Sequence, residues 1–311
     1  MTDFLALFSD YTFRVVALGS ALLGLVSGVL GCFTVLRKQS LMGDGISHAA
    51  LPGVVLAFIL TGTRHTEALL LGALIAGLIA IGCIAAIVRN TKITFDSALA
   101  LILASFFGLG LVLLTYVQRI PNANQAGLNR FIFGQASTML LRDVYVMMIS
   151  AVVLLALVVL FWKEFKLLTF DADYARSLGF PVRRINGLLS LMIVVAIIIG
   201  LQTVGVILMS ALLIAPAVAA RQWTNRLSRM AILAGLFGAF SGVIGTALSS
   251  LIPRLPTGPA IVVVASAIVG ISLLAAPGRG LIHRALRRRQ NRRLIQAGQL
   301  PQEGDAHVRS L

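Results

Sequence analysis

Two side chains that could bind a metal ion stand four positions apart near the start of the chain. Asp44 and His48 lie in the segment 41–53, which reads LMGDGISHAALPG. In a helix this spacing puts both side chains on one face. A carboxylate and an imidazole together offer oxygen and nitrogen ligands that suit Mn, Fe or Zn. The alternative is structural, with Asp44 capping the start of a helix and His48 paired with it or with a backbone carbonyl.

Breaks in membrane helices are a second kind of candidate site, because transporters often bind substrate where a helix is interrupted. Glycines and Pro52 flank the Asp44/His48 pair, and the following apolar run is short, so the sequence predicts a discontinuous helix there. A 36-residue apolar stretch, 185–220, is interrupted only around Gly200, Gln202 and Gly205. The candidate breaks or gates are therefore Pro52, Gly53, Gln202 and Pro216.

A short polar stretch in the middle of the chain predicts a surface helix. Asp171 is a good N-cap, Tyr174, Ala175 and Leu178 are expected to form one helix face, and Gly179 begins the sequence that ends the helix. Such a helix could insert into a groove on a cytoplasmic partner. It could equally be an ordinary surface helix in a loop.

The composition places these segments in a membrane protein. Of 311 residues, 58% are hydrophobic and 12% charged, and the mean hydropathy is +0.96. Soluble domains carry about a quarter charged residues. Apolar runs of 17 residues or more are long enough to cross a hydrocarbon core of about 30 Å. A water-soluble enzyme, a secreted disulfide scaffold and a disordered binder are excluded.

The expected fold is an all-α bundle of about nine membrane-spanning helices, or eight if 185–220 is one span. The domain boundaries are 1–278 for the transmembrane domain and 279–311 for a basic, partly disordered cytoplasmic tail. Glycines at small-x-x-x-small spacing, such as Gly24/Gly28 and Gly238/Gly242, predict close helix packing. The apolar runs are 13–36, 45–61, 68–88, 97–117, 143–162, 185–201, 203–220, 230–250 and 259–276.

Charge predicts the orientation. The chain has 26 Lys and Arg against 11 Asp and Glu. With nine spans and the N-terminus outside, 20 of the 26 cations lie on the cytoplasmic side, as the positive-inside rule expects. The C-terminus is then cytoplasmic. Its arginine cluster, 284–293, is better suited to anionic lipid than to nucleic acid.

Catalytic motifs are missing from the sequence. It contains neither a G-x-x-x-x-G-K-[ST] phosphate-binding loop nor an H-E-x-x-H zinc-protease motif. An intramembrane aspartyl protease needs two facing carboxylates, and Asp44 has only Asp96 as a conceivable partner. The sequence therefore favours a transport subunit over an intramembrane hydrolase, with no permanently bound cofactor.

Three blocks resemble the permease subunits of the manganese/zinc/iron branch of ATP-binding-cassette importers. Segment 40–53 is similar to that family's Gly-Asp-x-x-x-His-x-x-x-Pro-Gly signature. Asp171-x-x-x-Ala175-x-x-Leu178-Gly179 looks like the loop by which such permeases grip their ATPase. The third block runs from Gly200 to Arg221. The resemblance covers nearly all of 13–276.

This resemblance implies a bacterial inner-membrane importer of Mn, Zn or Fe that works by alternating access. Its partners would be two cytoplasmic ATP-binding subunits, a second permease subunit (identical or homologous) and an extracytoplasmic metal-binding protein, with no nucleic acid. Asp44 and His48 would line the metal path, and the segment from Asp171 to Gly179 would transmit force from the ATPase. The alternative within this architecture is a permease for an iron chelate or a vitamin.

Overall fold

The computed structural model describes residues 10–62, 65–119, 139–252, 255–277 and 280, with the backbone alone at 202–204 and 206–208. Nearly all of the predicted tail, 279–311, lies outside these residues. The part of the chain described contains helices and no strand, in agreement with the predicted all-α fold. The helices are α1 Tyr11–Leu36, α2 Met42–Thr61, α3 Thr66–Asn90, α4 Phe95–Gln118, α5 Leu141–Leu160, α6 Trp162–Phe170, α7 Ala172–Ser177, α8 Val182–Val204, α9 Val206–Trp223, α10 Leu227–Leu251 and α11 Thr257–Ala275.

Nine of these helices coincide with the nine apolar runs of the sequence. Within the described residues, eight are long and apolar enough to cross a membrane, and α9 is not among them. The count of nine spans and the outside position of the N-terminus remain predictions.

Glycine contacts hold the centre of the bundle together. A Cβ on Gly24 would meet the backbone carbonyl of Gly238, and one on Gly28 would meet that of Ala234, so α1 and α10 pack with their backbones in contact. Gly53 and Gly72 do the same between α2 and α3. These contacts confirm the close packing predicted from small-residue spacing, which allows van der Waals attraction over a long contact.

The stretch 185–220 forms two helices rather than one. The chain breaks at Gly205, whose φ of 87° and ψ of 167° fall in a region that is essentially accessible to glycine only. The predicted breaks at the prolines are wrong. Helix α2 continues through Pro52 and Gly53, and α9 continues through Pro216. Proline removes one helical hydrogen bond, and packing against neighbouring helices is enough to keep the helix continuous.

The ends of several helices meet at one end of the bundle, where the short helices α6 and α7 lie. Phe33, near the end of α1, is fully buried and makes edge-on ring contacts with Trp162 and Phe165 of α6, at centroid distances of 6.0 and 5.8 Å. Arg37 follows α1 directly and donates a hydrogen bond to the side-chain oxygen of Asn186 in α8. This end of the bundle, which we call the α7 end, therefore connects α1, α6 and α8.

Candidate metal site and coupling helix

Helix α2 brings Asp44 and His48 together as their spacing predicts. The Nε2 atom of His48 lies 3.4 Å from Oδ1 of Asp44. Asp44 is not the N-cap, because the helix begins at Met42 and the capping position belongs to Leu41, which makes no side-chain cap. The side chain of Asp44 is 41% exposed and that of His48 is 20% exposed. The pair thus lies on the outer surface of the single chain.

The imidazole is held against the middle of a neighbouring membrane helix. Its ring contacts that of Phe107 edge-on, with centroids 4.7 Å apart. Phe107 lies near the centre of the 24-residue helix α4, about 18 Å from its start at a rise of 1.5 Å per residue. His48 therefore lies level with the middle of α4, whereas Asp44 lies in the first turn of α2.

Two further atoms of His48 are available to bind a cation. The Nδ1 atom of His48 is buried and has no hydrogen-bond partner among the described residues. Pro52 has no N–H, so the carbonyl of His48, four residues earlier, loses its usual helical donor. The described residues contain no group of three His, Cys, Asp or Glu side chains that could hold a metal ion. A cation at the pair would therefore need ligands from outside this set.

Helix α7 is capped at both ends. The carboxylate of Asp171 accepts a hydrogen bond of 2.8 Å from the backbone N–H of Tyr174, as an N-cap does. At the other end, Phe180 N–H donates to the carbonyl of Ala175, and Gly179 N–H to that of Arg176. This is a Schellman motif, and it requires the left-handed conformation that Gly179 adopts, with a φ of 82°. The predicted start and stop are confirmed.

The side chains of α7 do not share one face as predicted. Tyr174 and Leu178 are 54% and 53% exposed, whereas Ala175 is 2% exposed and packs into the bundle. Residues one position apart point about 100° apart around a helix, which separates Ala175 from Tyr174. Tyr174 and Leu178 therefore form an exposed, largely apolar surface, while Ala175 anchors the helix.

Several residues that build these sites were not predicted from the sequence. Phe107 and Phe33 are phenylalanines in apolar runs, with no local signal to distinguish them from lipid-facing residues. The contact between Arg37 and Asn186 joins positions 149 residues apart. Gln202, predicted as a gate, lies in the last turn of α8, three residues before the break at Gly205. Its side chain is not among those described.

The helices are packed through glycine, and an ionisable pair lies beside the middle of one span. A capped surface helix lies at one end of the bundle. These features are typical of a multi-pass membrane transport subunit. A family model supports this class. The chain matches the ABC 3 transport family over residues 9–276 and belongs to that family. The resemblance found in the sequence is confirmed.

Two named relatives support the same class of protein. The chain is 52% identical over 290 residues to the zinc transport system membrane protein TroC of Treponema pallidum, covering 93% of this chain and 97% of that protein. It is 50% identical to the manganese transport system membrane protein MntC of Bacillus subtilis, covering 88% of this chain and 63% of MntC.

A solved structure shows the same fold. It is described as PsaBC from Streptococcus pneumoniae in complex with Fab. The TM-score is 0.79 at 31% identity, over 93% of this chain and 99% of the matched chain. Because relatives carry the names of transport system membrane proteins, the predictions of a transport subunit rather than an enzyme, and of a multi-pass inner-membrane protein, are confirmed.

Proposed function

We propose that this chain is the permease subunit of an ATP-driven importer of a divalent transition metal ion, and that Asp44 and His48 form a transient binding step on the metal path. The observation that carries the proposal is the position of the pair, 3.4 Å apart on the exposed side of α2 and in contact with the centre of α4. Ionisable side chains within membrane-spanning helices are rare and are usually functional, and ion pathways are one of their common roles.

The chemistry of the pair supports a transition metal. Carboxylate oxygen and imidazole nitrogen suit Mn²⁺, Fe²⁺ and Zn²⁺, and two relatives are named for zinc and manganese transport. Two side chains from one helix leave most of the coordination sphere open. One chain alone therefore binds the ion only weakly, which favours release at a transit site.

The exposure of the pair supports a second permease subunit. A carboxylate that is 41% exposed on a membrane helix is unfavourable if it faces acyl chains. A second copy of this chain, packed against the same face of α2 and α4, would cover both side chains and add its own Asp44 and His48. Small exposed residues on α4 next to Phe107, including Ala104 and Gly108, allow the close approach this requires.

The contacts at the α7 end support coupling to a cytoplasmic ATPase. An ATPase subunit that grips Tyr174 and Leu178 would pull on α7, which is joined to α6. Helix α6 packs on Phe33 at the end of α1, and only the turn from Arg37 to Leu41 separates α1 from α2. Movement at α7 therefore reaches Asp44 through directly packed elements. An extracytoplasmic binding protein would deliver the metal at the opposite end.

Metal uptake tests the proposal. Cells expressing the whole operon are supplied with radiolabelled Mn, Fe or Zn, and wild type is compared with Asp44→Ala and His48→Ala. Both variants should lose most uptake of the transported metal, because each removes one of the two side-chain ligands that one chain provides. The substrate is the metal that wild-type cells take up and that cells with either variant do not.

A matched control separates this effect from damage to the helix. Leu56 lies on the same helix and is 42% exposed, so Leu56→Ala should leave uptake close to wild type. All variants are compared at equal amounts of protein in the membrane. Wild-type uptake in both the Asp44 and His48 variants would refute the proposed metal path.

A further inference from the structure

A large cleft opens between α3 and α8 at the α7 end of the bundle. Its volume is about 990 Å³. The two helices touch where a Cβ on Gly77 would lie 3.0 Å from Val194 Cγ1. The cleft lies between this contact and the helix ends, where Arg89 at the end of α3 and Val182 at the start of α8 line it.

The mouth of the cleft is strongly basic. Among the described residues that line it are five arginines from four segments of the chain, and no aspartate or glutamate: Arg37, Arg89, Arg176, Arg183 and Arg184. Arg176 is paired with Asp173, at 2.8 Å, and the side chain that accepts from Arg37 is the neutral Asn186. Arg183 and Arg184 make no ion pair with the residues that the structure describes.

The burial of Arg37 also favours an anion in the cleft. Desolvation lowers the pKa of the Arg37 guanidinium, so the protein around it disfavours its charge. An anion in the cleft would compensate this cost, because a nearby opposite charge favours the ionised form.

One wall of the cleft is apolar and extends along a membrane-spanning helix. Ile81, Ile84, Ala85 and Val88 of α3 line it, rising about 12 Å from the level of Arg89 at 1.5 Å per residue. Gly82, Ala85 and Ala86 are exposed, so this side of the cleft is open along a helix that is long and apolar enough to cross a membrane. An inorganic anion or an acidic peptide would not use this wall.

We infer that the cleft binds an anionic phospholipid of the cytoplasmic leaflet, with its phosphate among the arginines and its glycerol and upper acyl chains along α3. Basic pockets between helices at the cytoplasmic surface bind anionic headgroups in this way. The inference rests on the proposed function for the cytoplasmic position of the α7 end. Because Arg37 and Arg176 border the coupling contacts, the lipid would stiffen the connection between α7 and Asp44.

Lipid binding to the purified permease–ATPase complex tests the inference. The complex is transferred into nanodiscs containing phosphatidylcholine with increasing phosphatidylglycerol, and bound lipid is counted by native mass spectrometry. The double variant Arg183→Gln/Arg184→Gln should bind phosphatidylglycerol about 25-fold more weakly, since each cation near a membrane surface contributes about fivefold in affinity. The control Arg226→Gln/Arg229→Gln makes the same charge change at two exposed arginines outside the cleft and should bind as wild type does.

A third variant distinguishes lipid from other anions. Ala85→Phe fills the apolar wall without changing charge, so it should weaken phosphatidylglycerol binding, and millimolar inorganic phosphate should not displace the lipid. Each variant must elute as a monodisperse complex. Unchanged binding in the arginine double variant, or in Ala85→Phe, overturns the inference. Displacement by inorganic phosphate would also overturn it and would indicate a free-anion site. Lipid that binds to the purified permease alone but not to the complex would overturn it and would indicate an acidic ATPase segment.

These outcomes are independent of metal transport. Asp44→Ala should retain full phosphatidylglycerol binding, since Asp44 does not line the cleft. Normal metal uptake by Asp44→Ala would refute the proposed metal path and leave the lipid measurement valid.

Discussion

Leu178 and Asp44 illustrate opposite problems of exposed side chains. Leu178 is an apolar side chain that protrudes from the α7 end of the bundle, and Asp44 is a charged one on a membrane helix. A charged side chain on a membrane helix is unfavourable if it faces acyl chains. Both exposures are explained if another subunit covers them.

We predict that Leu178→Asp weakens binding of the ATPase without unfolding the permease. Leu178 is 53% exposed, so the substitution should change the free energy of unfolding by no more than about 0.5 kcal/mol. A charged side chain would nevertheless be unfavourable in an apolar docking groove. Co-purification of the ATPase with tagged permease should fall several-fold.

The control for this prediction is Ile93→Asp. Ile93 is 42% exposed at the same end of the bundle, in the turn between α3 and α4. It should leave co-purification unchanged. If Leu178→Asp also retained the ATPase, α7 would not be the docking helix.

Contacts between individual side chains could be predicted from the sequence only where the two residues are a few positions apart in the chain. Asp44 and His48 are four residues apart in one helix, so helix geometry alone brings them together, as the structure confirms. The face of Ala175 cannot be predicted from the sequence, because the six residues of α7 do not encode the direction in which the bundle lies. Phe107 joins the site through a contact between α2 and α4, which no local pattern indicates.

At the level of helices, packing decides which glycines matter. A Cβ on Gly24 would collide with the carbonyl of Gly238, whereas one on Gly270 would meet no atom within 4 Å. We predict that Gly24→Ala destabilises the fold by about 1–3 kcal/mol, the usual cost of overpacking. Gly270→Ala should be neutral or stabilising by up to about 1 kcal/mol, since alanine favours the helix.

Thermal unfolding of the two glycine variants in the same detergent measures this difference. The apparent Tm should fall for Gly24→Ala and not for Gly270→Ala. Equal Tm values would show that α1 and α10 are less closely packed than described.

The contact of α1 with α6 is expected to transmit coupling. Phe33→Leu keeps the core filled but removes the edge-on ring contacts with Trp162 and Phe165, worth about 1 kcal/mol each. We predict that ATP hydrolysis by the reconstituted complex continues while its stimulation by the metal-loaded binding protein falls. Phe13→Leu, equally buried in the first turn of the same helix, should keep full stimulation. Parallel loss in both variants would argue against a specific role for Phe33.

Helix positions followed the hydropathy pattern closely, but helix continuity did not follow the usual helix breakers. Pro52 and Pro216 lie inside continuous helices, and Gly205 makes the break. A proline can remain inside a helix at the loss of one hydrogen bond. A backbone conformation with a φ of 87° and an extended ψ is accessible essentially to glycine only, so the helix ends there.

At the scale of the whole molecule, the exposed pair predicts how two permease chains associate. In a background with Cys32→Ala and Cys83→Ala, a cysteine at Ala104 on the exposed side of α4 should form a disulfide between two copies under oxidising conditions. The bond requires Cβ atoms about 4 Å apart, so it reports close approach of the two α4 helices.

The matched control for this cross-link is Ile232→Cys. Ile232 is 64% exposed on α10, which packs on α1 rather than on α2 or α4. It should remain monomeric on a non-reducing gel. Cross-linking at Ile232 and not at Ala104 would place the interface on the other side of the bundle and leave Asp44 facing lipid.

The amino-acid sequence by itself determined the class of protein, the positions of its membrane helices, the start and end of α7 and the proximity of Asp44 to His48. All of these depend on hydrophobicity and on contacts within a few residues. Only the tertiary structure decided that the pair faces outward beside Phe107, that Ala175 is buried, and that five arginines from four segments surround one cleft. Those features arise where helices distant in sequence pack together, and the shapes that decide such packing are not visible in any one segment.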